Sequence, residues 1–258
     1  MKNFFYYFVT PFLIIILMFG HYAYYEFYYD AAAESNGEAA DAHEGETLED
    51  KKPVESEAVQ EVGGFIGNHK DASPIKITFF GSDSIANRHH PDQSWPALVT
   101  DQLSSLLPDG HLEETIIEIG RMHSLDFYHD GTTIQQIIDS EPDILLYEPL
   151  LLNDIGHVRP IDSIDILGLT LDRLSRELPH TDIIIVPANP LYNSAFYLNQ
   201  MEDLGAFVRE NNLHYADHWE SWPAYTDESL NNFLENGRPN SQGHAIWADF
   251  IVDYLIHE

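Results

Sequence analysis

The stretch Ile75-Lys76-Ile77-Thr78-Phe79-Phe80-Gly81-Ser82-Asp83-Ser84 decides the fold of this chain. Its first part is mostly β-branched or aromatic and predicts a buried strand. The small and polar residues that follow predict a sharp turn. A serine on a turn at the end of a strand is a common way to expose a nucleophile. The stretch therefore predicts a strand that leads directly into a candidate site.

Apolar runs alternate with amphipathic stretches along the rest of the chain. This alternation is typical of an α/β fold, in which helices cover a parallel sheet. We predict strands at residues 75–80, 115–119, 143–147, 182–186 and 214–216. We predict helices at residues 95–107, 132–139, 162–177, 194–211 and 241–256.

Small or polar residues follow each predicted strand. In a parallel α/β sheet, ligands bind beyond the carboxyl ends of the strands. We therefore expect five clusters to meet at one edge of the sheet. They are Ser82-Asp83-Ser84, Gly120-Arg121-Met122-His123, Asn153-Asp154, Asn189 and Asp217-His218.

Four blocks of this sequence resemble, in the same order, the blocks that define the SGNH (GDSL) hydrolases. They are Ser82-Asp83-Ser84, Gly120, Asn153 and Gly237-Arg238-Pro239-Asn240-Ser241-Gln242-Gly243-His244. The resemblance covers residues 74–256, which is essentially the whole predicted domain. It implies a flavodoxin-like three-layer sandwich with a five-stranded parallel sheet.

The resemblance also implies the parts of a serine esterase. Ser84 takes the position of the nucleophile, and Ser82 is the alternative because the preceding glycine is shifted by one residue. The backbone N–H of Gly120 and the side-chain amide of Asn153 take the positions of oxyanion donors. The expected substrate is an acylated small molecule, a glycan or a lipid.

The catalytic base is where the sequence departs from the family. Arg238 stands at the position of the family's histidine, and Glu235 stands at that of its aspartate. A guanidinium group stays protonated and cannot accept a proton. The base would then be a displaced histidine, for which His244 is the first candidate and His123 and His157 are the others.

Two functions remain open at this point. The first is a serine esterase that deacylates a cell-surface carbohydrate or lipid. The second is a degenerate domain that binds an envelope glycan or a partner protein, with Arg238 suited to a carboxylate or phosphate group. We expect Arg238, His123 and Trp219 to contact the substrate, Trp219 either by stacking on a sugar or by capping the core.

Composition excludes several other classes of protein. The formal net charge is −31, so a nucleic-acid partner is not expected, because phosphate binding needs a basic surface. The chain has no cysteine, which excludes disulfides and thiolate metal sites. We predict no cofactor and no metal, since His89-His90 and Asp92 lack a further ligand at suitable spacing.

The N-terminal sequence predicts a membrane anchor followed by a spacer. Residues 4–25 are almost wholly apolar and long enough to cross a bilayer. Lys2 precedes this run and acidic residues follow it, which places the rest of the chain outside the cytoplasm. We predict a signal anchor at residues 1–29, a disordered acidic linker at 30–73 and the hydrolase-like domain at 74–258. Cleavage at Ala31-Ala32-Ala33 is the alternative.

Overall fold

The computed structural model describes residues 62–108 and 111–258. The predicted anchor and most of the predicted linker lie outside these residues. In the part that is described, no helix combines the length and the apolar character needed to cross a membrane.

Within the described residues, five parallel strands form the central sheet, as predicted. In the order β2-β1-β3-β4-β5, they are β1 (Ile75–Gly81), β2 (Leu112–Glu118), β3 (Ile144–Tyr147), β4 (Asp182–Ile185) and β5 (His214–Tyr215). This is the flavodoxin-like order, and its switch point lies between β1 and β3. A crevice is therefore expected beyond the carboxyl ends of these two strands.

Helices cover both faces of the sheet. They are α1 (Gly64–Asn68), α2 (Trp95–Leu106), α3 (Ser124–Asp130), α4 (Thr132–Asp139), α5 (Leu151–Asp154), α6 (Pro160–Glu177), α7 (Ala195–Glu210) and α8 (Ser241–His257). Phe79 packs into one core with Trp95 and Trp247, and Phe80 packs into the other with Phe127. Neighbouring residues of a strand point to opposite faces, so β1 anchors both layers.

Helix α1 lies within residues 30–73, for which the sequence predicts a disordered linker, and it corrects that prediction. Phe65 and Ile66 are buried in the same core as Phe79. The Phe65 ring stacks on Tyr254 of α8, with centroids 5.7 Å apart. The packed domain therefore begins before residue 74, because these two apolar side chains bury their surface against α8.

Candidate functional site

The turn after β1 points Asp83 into the cleft. The Ser84 N–H donates to Ser82 Oγ at 3.1 Å, and the Asp83 N–H donates to the Gly120 carbonyl at 2.9 Å. These bonds fix the turn and tie it to the end of β2. Asp83 lines a cleft of about 580 Å³ at the carboxyl edge of the sheet.

The position of Ser84 contradicts its predicted role as nucleophile. Its side chain is fully buried, and its hydroxyl has no hydrogen-bond partner among the described residues. Its N–H is already bonded to Ser82 Oγ and is not free to bind an oxyanion. The turn brings Asp83 to the cleft and directs the flanking serine side chains into the protein.

Arg238 is presented by a tight hairpin. Strands β6 (Leu234–Glu235) and β7 (Arg238–Pro239) are joined by Asn236 and Gly237, which both have positive φ angles, 52° and 76°. An Asn-Gly pair is the favoured sequence for such a two-residue turn. The Asn189 amide donates to the Gly237 carbonyl at 3.2 Å and holds the hairpin against the end of β4.

Among the described residues, three guanidinium groups surround the Asp83 carboxylate. Arg238 Nε donates to Asp83 Oδ1 at 2.5 Å. Arg121 Nε and Arg88 Nη2 donate to Asp83 Oδ2 at 3.1 and 3.3 Å. The carboxylate is 2% exposed, the Arg238 side chain is 21% exposed, and the other two arginines are mostly in solvent. The core of the site is thus an ion cluster.

The predicted oxyanion donors are hydrogen-bonded to other groups of the protein. The Asn153 amide donates to the carbonyls of Gly120 and Met122, both at 3.0 Å, while its oxygen accepts from Arg238 Nη2 at 3.1 Å. Gly120 has a φ of +63°, and its N–H donates to Glu118 Oε1 at 2.7 Å. Both residues lie where the sequence predicted, but neither offers a free donor in this arrangement.

His244 does not fit the predicted role of base. Its side chain is buried at the start of α8, and its Nδ1 accepts from the Trp95 N–H at 3.2 Å. Burial lowers its pKa to about 4. His244 is therefore a neutral packing residue that joins α8 to α2.

The other predicted contacts also lie outside the cleft. His123 stacks on His157 with centroids 4.1 Å apart, and its Nδ1 lies 3.4 Å from Asp126. Trp219 donates from Nε1 to the Ala188 carbonyl at 2.7 Å and lines a different depression, of about 310 Å³, beside α7. Neither His123 nor Trp219 is among the residues that line the cleft.

The prediction that the strand ends converge holds for four of the five clusters. Hydrogen bonds join Asp83 to Gly120 and Arg121, Asn153 to Gly120, and Asn189 to the hairpin of Arg238. The fifth cluster lies elsewhere, because Asp217 lines the depression beside α7 and His218 is buried in the interior. Its His218 stacks on Trp247 with centroids 4.0 Å apart, and burial lowers its pKa to about 3.

Of the described charged residues that line the cleft, Arg88 is the one that the sequence motifs did not indicate. The described residues that line it include three arginines and two carboxylates, together with exposed His89 and His90. Lys and Arg number only 12 in the chain against 43 Asp and Glu. The signal that could have found Arg88 is therefore the appearance of a scarce arginine in the loop that follows β1. No cluster of His, Asp or Glu within the described residues has a geometry that could hold a metal.

A buried carboxyl group lies beneath this ion cluster. Ser82 Oγ donates to Glu148 Oε1 at 2.6 Å, and both side chains are essentially inaccessible to solvent. Burial raises the pKa of Glu148 to about 7, while the hydrogen bonds from Ser82 and the charge of Arg238 act in the opposite direction. A Cβ atom at Gly81 would lie 2.7 Å from Glu148 Oε2, so glycine is needed for the carboxyl group to fit.

No family model matches the chain, and no curated protein matches it by sequence. Solved structures do match it. A lipolytic protein of the G-D-S-L family from Desulfitobacterium hafniense has a TM-score of 0.58 at 15% identity, covering 70% of this chain and 99% of that one. An acetylxylan esterase from Geobacillus stearothermophilus has a TM-score of 0.56 at 14% identity, covering 77% and 98%. The esterase EstA from Pseudoalteromonas has a TM-score of 0.54 at 14% identity, covering 70% and 96%.

These neighbours share the fold of this chain but few of its residues. At such identities the likeness extends to the fold, while the chemistry must be argued from the side chains of this chain. The chain has the fold of the SGNH (GDSL) hydrolases.

Proposed function

We propose that this domain is a binding domain built on the SGNH hydrolase fold, which holds an envelope glycan or a partner protein in its cleft without hydrolysing it. One observation carries the proposal. In the cleft, an ion pair joins Asp83, the neighbour of the predicted nucleophile Ser84, to Arg238, which stands at the position of the family's histidine.

Ester hydrolysis by a serine needs a hydroxyl group, a base that takes its proton and donors for the oxyanion. Arg238 cannot serve as the base. The Asp83 carboxylate is a poor nucleophile, because both its oxygens accept hydrogen bonds from cationic arginines. Asn153 is also bonded within the protein, so the residues that the resemblance implies offer the cleft neither an exposed serine nor a free oxyanion donor.

A serine esterase is the second candidate, and one observation favours it. The Ser82 hydroxyl is bonded to Glu148, whose pKa of about 7 suits a general base at neutral pH. Both side chains are buried, so the turn around Asp83 would have to open before a substrate could reach them. The names of the structural neighbours, which include esterases, support this candidate by analogy.

An esterase assay separates the two candidates. The full-length chain in a non-ionic detergent is mixed with p-nitrophenyl acetate, together with the Ser82→Ala and Ser84→Ala variants. We expect no turnover above that of the buffer. Turnover by the unmodified chain that Ser82→Ala abolishes and Ser84→Ala leaves intact would establish the esterase. An active serine esterase in the same detergent is the positive control.

The proposal also includes the location of the domain. The apolar run at residues 4–25 and the charge asymmetry around it support a single anchor with the domain outside the cytoplasm. The acidic composition of the following residues supports a spacer between the membrane and the domain. Protease added to intact cells should cleave the domain from the membrane, and protection of the domain would contradict this orientation.

A further inference from the structure

We infer that the cleft binds a phosphate or carboxylate group between the side chains of Arg88 and Arg121, an inference that rests on the proposed binding function and names its ligand. The arginine that the sequence singled out, Arg238, is instead the residue that holds the site together. The difference follows from how many N–H donors of each guanidinium group are not already bonded within the protein.

The guanidinium group of Arg238 is already hydrogen-bonded within the protein. It donates to Asp83, to Asn153 and to the Gly237 carbonyl, so all three of its nitrogen atoms have acceptors. Its side chain is only 21% exposed. Arg238 therefore fixes Asp83 and the hairpin and has little capacity for a ligand.

Arg88 and Arg121 are in the opposite situation. Within the described residues each makes one hydrogen bond to the protein, although a guanidinium group carries five N–H donors. Their side chains are 66% and 71% exposed. Most of their donors consequently face the cleft or the solvent and can bind a ligand.

The two guanidinium groups are also close together. Arg88 comes from the loop after β1 and Arg121 from the loop after β2, yet both donate to the same oxygen, Asp83 Oδ2. The bonded nitrogen atoms can be no farther apart than these two bonds, 3.3 and 3.1 Å, placed end to end. Two cations at such a distance repel each other, and the two carboxylates that line the cleft, Asp83 and Glu235, do not neutralise its three arginines. An added anion would complete the charge balance.

The chemistry of the ligand follows from the donors. Guanidinium groups bind carboxylates and phosphates through paired N–H bonds, more strongly than they bind neutral acceptors. The cleft, at about 580 Å³, is large enough for a sugar that bears such a group. Ser241 also lines the cleft, and its hydroxyl group, which accepts a hydrogen bond from Asn87, can still donate one to a ligand. A phosphorylated sugar or a uronic acid within a glycan fits these features.

The net negative charge of the chain disfavours anion binding elsewhere on the protein. A chain with a formal charge of −31 repels anions over most of its surface. Binding of an anion must then depend on these two arginines, and it should weaken as salt screens their charge.

Calorimetric titration of the full-length chain in non-ionic detergent tests the inference, with inorganic phosphate in one arm and glucuronate in the other. We expect saturable binding in at least one arm, and the tighter arm identifies the group that the site prefers. Arg88→Gln and Arg121→Gln should each weaken this binding at least tenfold. Arg121→Lys, which keeps the charge but loses the paired donors, should fall between these variants and the unmodified chain.

Arg209→Gln is the matched control, because Arg209 is an exposed arginine that lines the other depression. It should leave binding unchanged. Absence of binding in both arms, or an equal loss in Arg209→Gln, would overturn the inference. Neither result bears on ester hydrolysis, so the esterase assay still decides the proposed function separately. Circular dichroism of each variant checks that the fold is retained.

Discussion

At the scale of single residues, the site depends on keeping the charge of Asp83 neutralised. A carboxylate that is 2% exposed is stable only while its cationic partners remain. Replacing Asp83 with Asn removes the charge and leaves Arg238, itself only 21% exposed, without a counter-ion. We expect the free energy of unfolding to fall by about 2 kcal/mol, the scale of a hydrogen bond to a charged group. Urea denaturation followed by circular dichroism measures it.

The control for Asp83→Asn is Arg88→Gln. Arg88 bonds to the same carboxylate but is 66% exposed. Exposed ion pairs contribute little, so this change should cost less than about 1 kcal/mol. Equal losses in the two variants would show that Asp83 is not held mainly by Arg238.

Gly81 offers a second test at the residue scale. A Cβ atom there would lie 2.6 Å from Ile85 Cγ2 and 2.7 Å from Glu148 Oε2. Gly81→Ala should therefore destabilise the fold by about 1–3 kcal/mol through overpacking. Gly168→Ala in α6 is the matched change, because its Cβ would make ordinary contacts with Phe207 at 3.6 Å. There alanine should raise the stability by about 0.5–1 kcal/mol through its helix propensity. In thermal denaturation, the melting temperature should fall for Gly81→Ala and rise for Gly168→Ala.

At the scale of secondary-structure elements, the five strands and the helices of eight or more residues were predictable, whereas the shorter helices α1, α3 and α5 were not. The strands β1, β3 and β4 and the helices α2, α4, α6, α7 and α8 begin and end within about two residues of their predicted bounds. Buried apolar runs and helical periodicity determine these elements. Helix α1 has only five residues and is stabilised by packing of Phe65 and Ile66 on α8, so local sequence carries little signal for it.

The site was predictable in place but not in the orientation of its side chains. Both Ser82 and Ser84 suited the family pattern, and nothing in the sequence showed that the bond from the Asp83 N–H to the Gly120 carbonyl would turn Asp83 toward the cleft. Arg238 was identified because its block matches over many residues. Arg88 and Arg121 lie on loops whose path depends on the folded sheet, so their convergence on one oxygen required the structure.

The start of α8 can be tested as an element. Asn240 caps it by accepting hydrogen bonds from the N–H groups of Gln242 and Gly243. Asn240→Ala should lower the free energy of unfolding by about 1 kcal/mol, as is usual for loss of an N-cap. Ser194 at the start of α7 makes no such bond, so Ser194→Ala should have a smaller effect. Chemical denaturation of the two variants compares the caps, and equal losses would contradict the assigned role of Asn240.

At the scale of the whole molecule, two buried histidines and one buried carboxyl group make stability depend on pH, in opposite directions. Burial lowers the pKa of His244 to about 4 and that of His218 to about 3, from an ordinary value of 6.5. The unfolded chain therefore binds more protons at these sites, and their contribution to stability is lost as the pH falls below 6.5. Glu148 acts in the other direction. Its pKa rises from 4.5 to about 7 on folding, so the folded chain binds the extra proton and stability falls as the pH rises from 4.5 to 7.

Glu148→Gln isolates the second of these effects. Gln is neutral at every pH, as Glu148 is when protonated, and its oxygen can still accept the bond from Ser82. The free energy of unfolding of the variant, measured relative to the unmodified chain, should therefore increase by about 3 kcal/mol between pH 4.5 and pH 8. Urea denaturation at a series of pH values measures this difference. Glu235→Gln, which removes an exposed carboxylate at the rim of the same cleft, is the control for the loss of one charge. A constant difference for Glu148→Gln, or an increase of the same size for Glu235→Gln, would mean that the buried carboxyl group beneath Asp83 does not carry this pH dependence.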